Sequence, residues 1–72
     1  MDFNVTKRLE IDNKQGDFLE IEQDNFIIIQ FINGTYKAVQ VQEIKEYSII
    51  VLDDSDNKLT FFYEEIEDIE FS

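Results

Sequence analysis

The 72-residue sequence contains no cysteine, no histidine, no proline and no tryptophan, and only two glycines. Each absence excludes something. Without cysteine there is no disulfide framework, and a cytoplasmic setting is expected. Without histidine as well, the usual zinc sites and nucleophile–histidine triads cannot be built. Cations are scarce: six Lys and Arg against seventeen Asp and Glu leave a net charge of −11. Apolar runs fall far short of the roughly 18–20 residues of a membrane span, and Met1-Asp2-Phe3-Asn4 has no signal-peptide layout. No membrane association is expected.

What the chain does have is apolar surface. Hydrophobic residues make up 43% of it, and ten positions are aromatic, seven Phe and three Tyr. That is too much for a disordered acidic tail, and the length allows one folded domain, 1–72. So small a domain has a thin core, which the aromatics are expected to enlarge by burial. Self-association would bury more, so a homo-oligomer is expected, although eleven net negative charges oppose tight assembly.

Alternation at a period of two runs through most of the chain, predicting strands. Val5, Leu9 and Ile11 share one face, and Asn4, Thr6, Arg8 and Glu10 the other. The turn-like Asp12-Asn13-Lys14-Gln15-Gly16 leads to Leu19 and Ile21, which predicts an N-terminal hairpin over 3–22. Phe26 to Ile32 is almost continuously apolar and reads as a central strand covered on both faces. Asn33-Gly34 follows, a strong signal for a tight hairpin turn with positive φ at both residues. Its partner strand runs from Thr35 to Ile44, and others run from Tyr47 to Leu52 and through Leu59, Phe61 and Tyr63. A short helical step at Glu64-Glu65 precedes a last strand through Ile69 and Phe71. The fold class predicted is all-β: six or seven short strands in a strongly bent antiparallel sheet or small Sm/SH3-like barrel, its core over 26–71. A flat sheet would leave the Ile27–Phe31 edge open.

Five carboxylates crowd into Glu64-Glu65-Ile66-Glu67-Asp68-Ile69-Glu70. They either meet a basic surface, imitating the spacing of nucleic-acid phosphates, or keep an edge strand solvated. Asp53-Asp54-Ser55-Asp56 forms a second cluster. Asp54 and Asp56 fit the opening of a calcium loop, with Glu65 at its twelfth position, but Lys58 takes a ligand position and Leu59 stands where glycine is required. No metal or other cofactor is expected. Paired carboxylates without a cleft, a histidine or a phosphate-binding glycine loop do not make an enzyme. Nucleic acid should be repelled by a monomer this acidic, although a ring with a neutral pore could hold bases by stacking on Phe or Tyr.

From Phe26 onward the order of features resembles the Sm-like family, including its bacterial Hfq-like branch. The resemblance rests on Phe31-Ile32-Asn33-Gly34, Glu43-Ile44-Lys45-Glu46-Tyr47, Ile49-Ile50-Val51-Leu52 and Phe62-Tyr63-Glu64-Glu65-Ile66. It implies a bent five-stranded barrel assembling into a ring, with Tyr47 as the base-stacking aromatic and Tyr63 opening the last motif. This sequence departs from the family where Glu64 and Glu65 replace its RNA-contacting lysine and histidine. Val39 replaces its second glycine, Lys45 its aspartate, and a hairpin its N-terminal helix.

Two functions follow as expectations. The first is a non-enzymatic acidic module that binds, and inhibits or regulates, a basic protein partner that handles nucleic acid. Phage anti-defence proteins and immunity proteins against nuclease toxins are similar in size and charge. Its contact surface would comprise Asp53, Asp54, Asp56, Glu64, Glu65, Glu67, Asp68 and Glu70, with Tyr47 or Tyr63 as aromatic anchor. The second is an Sm-like ring that binds RNA or a nucleotide between subunits.

Overall fold

Leu9 and Ile11 face inward from the first strand, β1 (Leu9–Asp12), and Leu19 and Ile21 from the second, β2 (Phe18–Ile21). A computed structural model describes residues 8–72, so Val5 and the rest of the expected hairpin before residue 8 lie outside it. The antiparallel register pairs Leu9 with Ile21 and Ile11 with Leu19, which joins the apolar faces. It also sets Glu10 opposite Glu20 on the outer face, a repulsive arrangement. Arg8 offsets it by pairing with Glu20 at 3.1 Å and Glu22 at 3.4 Å.

The remaining strands are β3 (Phe26–Phe31), β4 (Tyr36–Ile44), β5 (Ser48–Leu52), β6 (Lys58–Phe62) and β7 (Ile66–Phe71). A single 3-10 turn, Tyr63–Glu65, links the last two where a short helical step was predicted. All strands are antiparallel, and the larger sheet runs β6-β5-β4-β3-β7. The fold is therefore all-β, with seven strands among the described residues in sheets of two and five. The five-stranded sheet does not close into a barrel: β6 and β7 remain its two edges.

Two bulges shape that sheet. Gln40 and Val41 face Leu52 and Val51, but the register then shifts so that Glu43 faces Ile50. The extra residue, Gln42, resets the alternation, and Ile44 rather than Glu43 turns into the core. The first half of β4 thus pairs with β3 and the second with β5. In β7, Glu67 is the extra residue, because Asp68 faces Gln30 and Ile66 faces Phe31.

Two expectations need correction. Asn33-Gly34 is not a two-residue turn with positive φ at both positions. Phe31 N–H donates to Thr35 O and Gly34 N–H to Phe31 O, closing a three-residue loop in which only Gly34 is left-handed, at φ +88°. The Asn33 side chain instead accepts the Thr35 N–H and hydroxyl. Nor is β3 covered on both faces. Ile27 and Ile29 are fully buried, Ile28 is half-buried, and Phe26 is exposed.

The core is Leu19, Ile21, Ile27, Ile29, Val39, Val41, Ile44, Ile49, Val51 and Ile69. Every one of these side chains is aliphatic. The expectation that aromatics enlarge the core fails: Phe31, Phe61 and Tyr63 pack half-buried at its margin. Phe18, Phe26, Tyr36, Tyr47, Phe62 and Phe71 are between 47% and 72% exposed. Branched aliphatic chains fill the narrow space between twisted sheets, and the rings are left at its rim. Among the described residues, no helix is long and apolar enough to cross a membrane.

Candidate interaction surface

The predicted contact residues occupy three places. Asp53, Asp54 and Asp56 sit in the β5–β6 loop, beside the Leu52–Lys58 pair that begins β6. Tyr47, Tyr63, Glu64 and Glu65 gather at the other end of that hairpin, past the Ser48–Phe62 pair. There Tyr63 N–H donates to Tyr47 O at 3.1 Å. At about 3.3 Å per residue, the five residues of β6 separate the two groups by roughly 15 Å. Glu67, Asp68 and Glu70 lie along β7, on the opposite edge of the sheet.

These groups differ in what already holds them. Asp53 organises its own loop: one carboxylate oxygen accepts the N–H groups of Ser55 at 2.8 Å and Asn57 at 2.9 Å. The Asn57 backbone N–H, more than that of Ser55, holds this carboxyl below its ordinary pKa. Asp54 and Asp56 are exposed. On β7 the acidic residues meet the β1–β2 turn. Lys14 pairs with Glu67, its backbone N–H donates to Asp68 at 3.2 Å, and Gln15 reaches Glu70 at 3.4 Å. The hydrogen bond that the Lys14 ammonium donates to Glu67 holds it above its ordinary pKa. Much of the β7 charge therefore clasps the N-terminal hairpin.

At the 3-10 corner the two tyrosines part company. Tyr63 donates its hydroxyl to Lys45 O at 2.7 Å and is half-buried, which raises its pKa. It ties the β4–β5 turn to the 3-10 turn. Tyr47 is 72% exposed and available as an anchor, and exposed Phe62 sits one pair along the hairpin, opposite Ser48. Glu64 projects into solvent. Glu65 accepts the Phe62 N–H at 3.0 Å with one carboxylate oxygen, while its carbonyl accepts the Ile32 N–H. Ion pairs among the described residues use Arg8 and Lys14 alone, so Glu64 and Glu65 have no ion-pair partner among them, and Lys45 and Glu46 stand in the adjoining turn.

Reading the sequence did not find the groove beside β6. Phe31, Ile32, Tyr36, Leu59 and Phe61 line about 610 Å³ between β6 and the β3–β4 hairpin, with Lys37 and Glu65 at its margins. Phe31 and Phe61 meet edge to face there, with ring centroids 4.8 Å apart. Alternation marks Leu59 and Phe61 as one apolar face of β6, but a strand pattern does not record that this face borders an open groove. The chain matches no family model, no curated protein and no solved structure.

Proposed function

We propose that this protein is a non-enzymatic acidic interaction module that binds, and inhibits or regulates, a basic protein partner, most naturally one that handles nucleic acid. The observation that carries the reading is the pairing of exposed aromatics with uncompensated carboxylates at the 3-10 corner: Tyr47 and Phe62 beside Glu64 and Glu65. Large exposed rings supply contact area at little entropic cost, and surrounding carboxylates steer a cationic surface onto them. The contact set narrows to this corner and the Asp54–Asp56 loop, because Glu67 and Asp68 are engaged by Lys14.

The immobilised protein should retain a basic protein from a cell extract at low salt and release it as ionic strength rises. The triple variant Tyr47→Ala, Glu64→Lys, Glu65→Lys should retain far less of it. Equal retention by the variant, with its fold intact by circular dichroism, would overturn the proposal.

A second reading is favoured by the sheet order β6-β5-β4-β3-β7 with a 3-10 turn joining its edges. This order supports the Sm-like resemblance and a ring that binds RNA or a nucleotide near Tyr47. It predicts a mass of six or seven subunits by light scattering, and ligand loss on Tyr47→Ala.

A further inference from the structure

β6 combines three properties. It is an edge strand of the five-stranded sheet. The Tyr63 N–H points across to Tyr47 O, so strand alternation turns the backbone groups of Thr60 and Lys58 to the open side. Phe62 also falls in that phase, but its N–H is already taken by the Glu65 carboxylate, which ends the open ladder. The available backbone is short and defined.

Beside this edge lies the groove lined by Leu59, Phe61, Phe31 and Ile32, positioned to receive alternate side chains of an added strand. Carboxylates mark both ends of β6: Asp54 and Asp56 before it, Glu64 and Glu65 after it. Lys37 and Glu65 at the groove's margins offset each other, so its aromatic and aliphatic middle favours apolar side chains and leaves the cations to the flanks. A second copy of the chain is a poorer occupant. Its own open edge, β6, would bring the same carboxylates against both ends of this one, and its β7 is occupied by the docked β1–β2 turn.

The geometry points to β6 as a strand-addition site for an extended basic segment of a partner protein, apolar at alternate central positions and carrying Lys or Arg at each end. This inference rests on the acidic-module reading and adds to it a mode of binding and a place. The binding energy would come from ladder hydrogen bonds at Thr60 and Lys58, from apolar side chains in the groove, and from charge at the two ends.

The probe is the peptide Lys-Lys-Val-Thr-Val-Thr-Val-Lys-Lys, titrated into the whole protein. Binding is followed by calorimetry, and the site by amide hydrogen exchange. Two control peptides place proline at the central valine or glutamate at all four lysines, so no protein variant has to fold. The expected result is binding with new protection of the Thr60 amide. The proline peptide should bind about tenfold more weakly or worse, and the glutamate peptide not at all. Equal binding of the lysine and proline peptides would overturn strand addition while leaving the acidic-module reading standing. Protection confined to residues 47 and 63–65 would do the same. Absence of binding by the lysine peptide, while the basic partner is still retained through Tyr47, Glu64 and Glu65, would overturn the inference alone. Loss of both would remove the two together. Dimers that block the peptide would assign the edge to a second copy and overturn the inference as stated.

Discussion

The β1–β2 and β5–β6 loops share one plan and serve different ends. In each, the first residue, Asn13 or Asp53, donates its N–H to the carbonyl of the fifth, Asp17 or Asn57. The fourth residue returns its N–H to the first, and the first residue's side-chain oxygen accepts the N–H groups of the third and fifth. The fourth residue is left-handed in both, Gly16 at φ +86° and Asp56 at φ +62°. Yet Asn13 is buried where its loop docks on β7, whereas the Asp53 loop stands in solvent. A neutral amide suits the first place because Glu67, Asp68 and Glu70 are its neighbours' partners. A carboxylate is tolerated in the second. The lesson concerns Asp53: its charge is explained by loop building, so a partner surface needs to invoke only Asp54 and Asp56.

The largest expected effect comes from removing the organising side chain on the buried side. Asn13→Ala leaves the Gln15 and Asp17 N–H groups without their acceptor and should cost about 1–3 kcal/mol, read as a lower urea midpoint. Asp53→Ala should cost less, since water replaces the lost acceptor. An equal cost would break the comparison. Next come the left-handed positions. Gly16→Ala meets no atom within 4 Å, so its expected penalty of about 1 kcal/mol is conformational alone. Asp56→Gly should stabilise by less than about 1 kcal/mol, because a strained residue is relieved while the unfolded chain gains freedom.

Acid separates the loops further. The Asp53 carboxyl is held low, so its stabilisation is present above the unfolded pKa and is lost as pH falls through the folded one. Thermal melts below about pH 4 should therefore fall less steeply for Asp53→Asn than for the parent chain. Asn13→Asp should do the reverse, weakening the dock at neutral pH and recovering as carboxylates protonate. The smallest effect belongs to Lys14. Its ammonium is held high, so its contribution is present below the unfolded pKa and disappears as pH rises through the folded one. Lys14→Met should speed amide exchange in β1 and β2 while leaving β4 and β5 unchanged.

Alternation made nearly every strand legible in the sequence, since Leu19 and Ile21, or Val39 and Val41, announce one buried face. The short step before the last strand was legible as well. The bulges were not. An extra Gln42 or Glu67 shifts the pairing partner, and nothing within a single strand records its partner. For the same reason Asn33-Gly34 announced a turn but not its length. The aromatics misled most, because hydrophobicity ranks a phenylalanine as core material without saying whether the sheets leave room for a ring. Of the candidate site, the carboxylates were legible as a cluster. That Glu67, Asp68 and Glu70 dock the N-terminal hairpin depended on contacts between residues more than fifty positions apart.

That separation gives the Lys14–Glu67 clasp a consequence in time. The β3–β4, β4–β5 and β5–β6 pairs each close a short loop and can form early from neighbours in sequence. The clasp joins residues 53 positions apart and needs β7 already laid against β3. The large loop-closure cost falls on laying β7 against β3, and the clasp can follow only after it. The chain should therefore assemble its central hairpins first and fasten its N-terminal hairpin last, then release it first when unfolding begins.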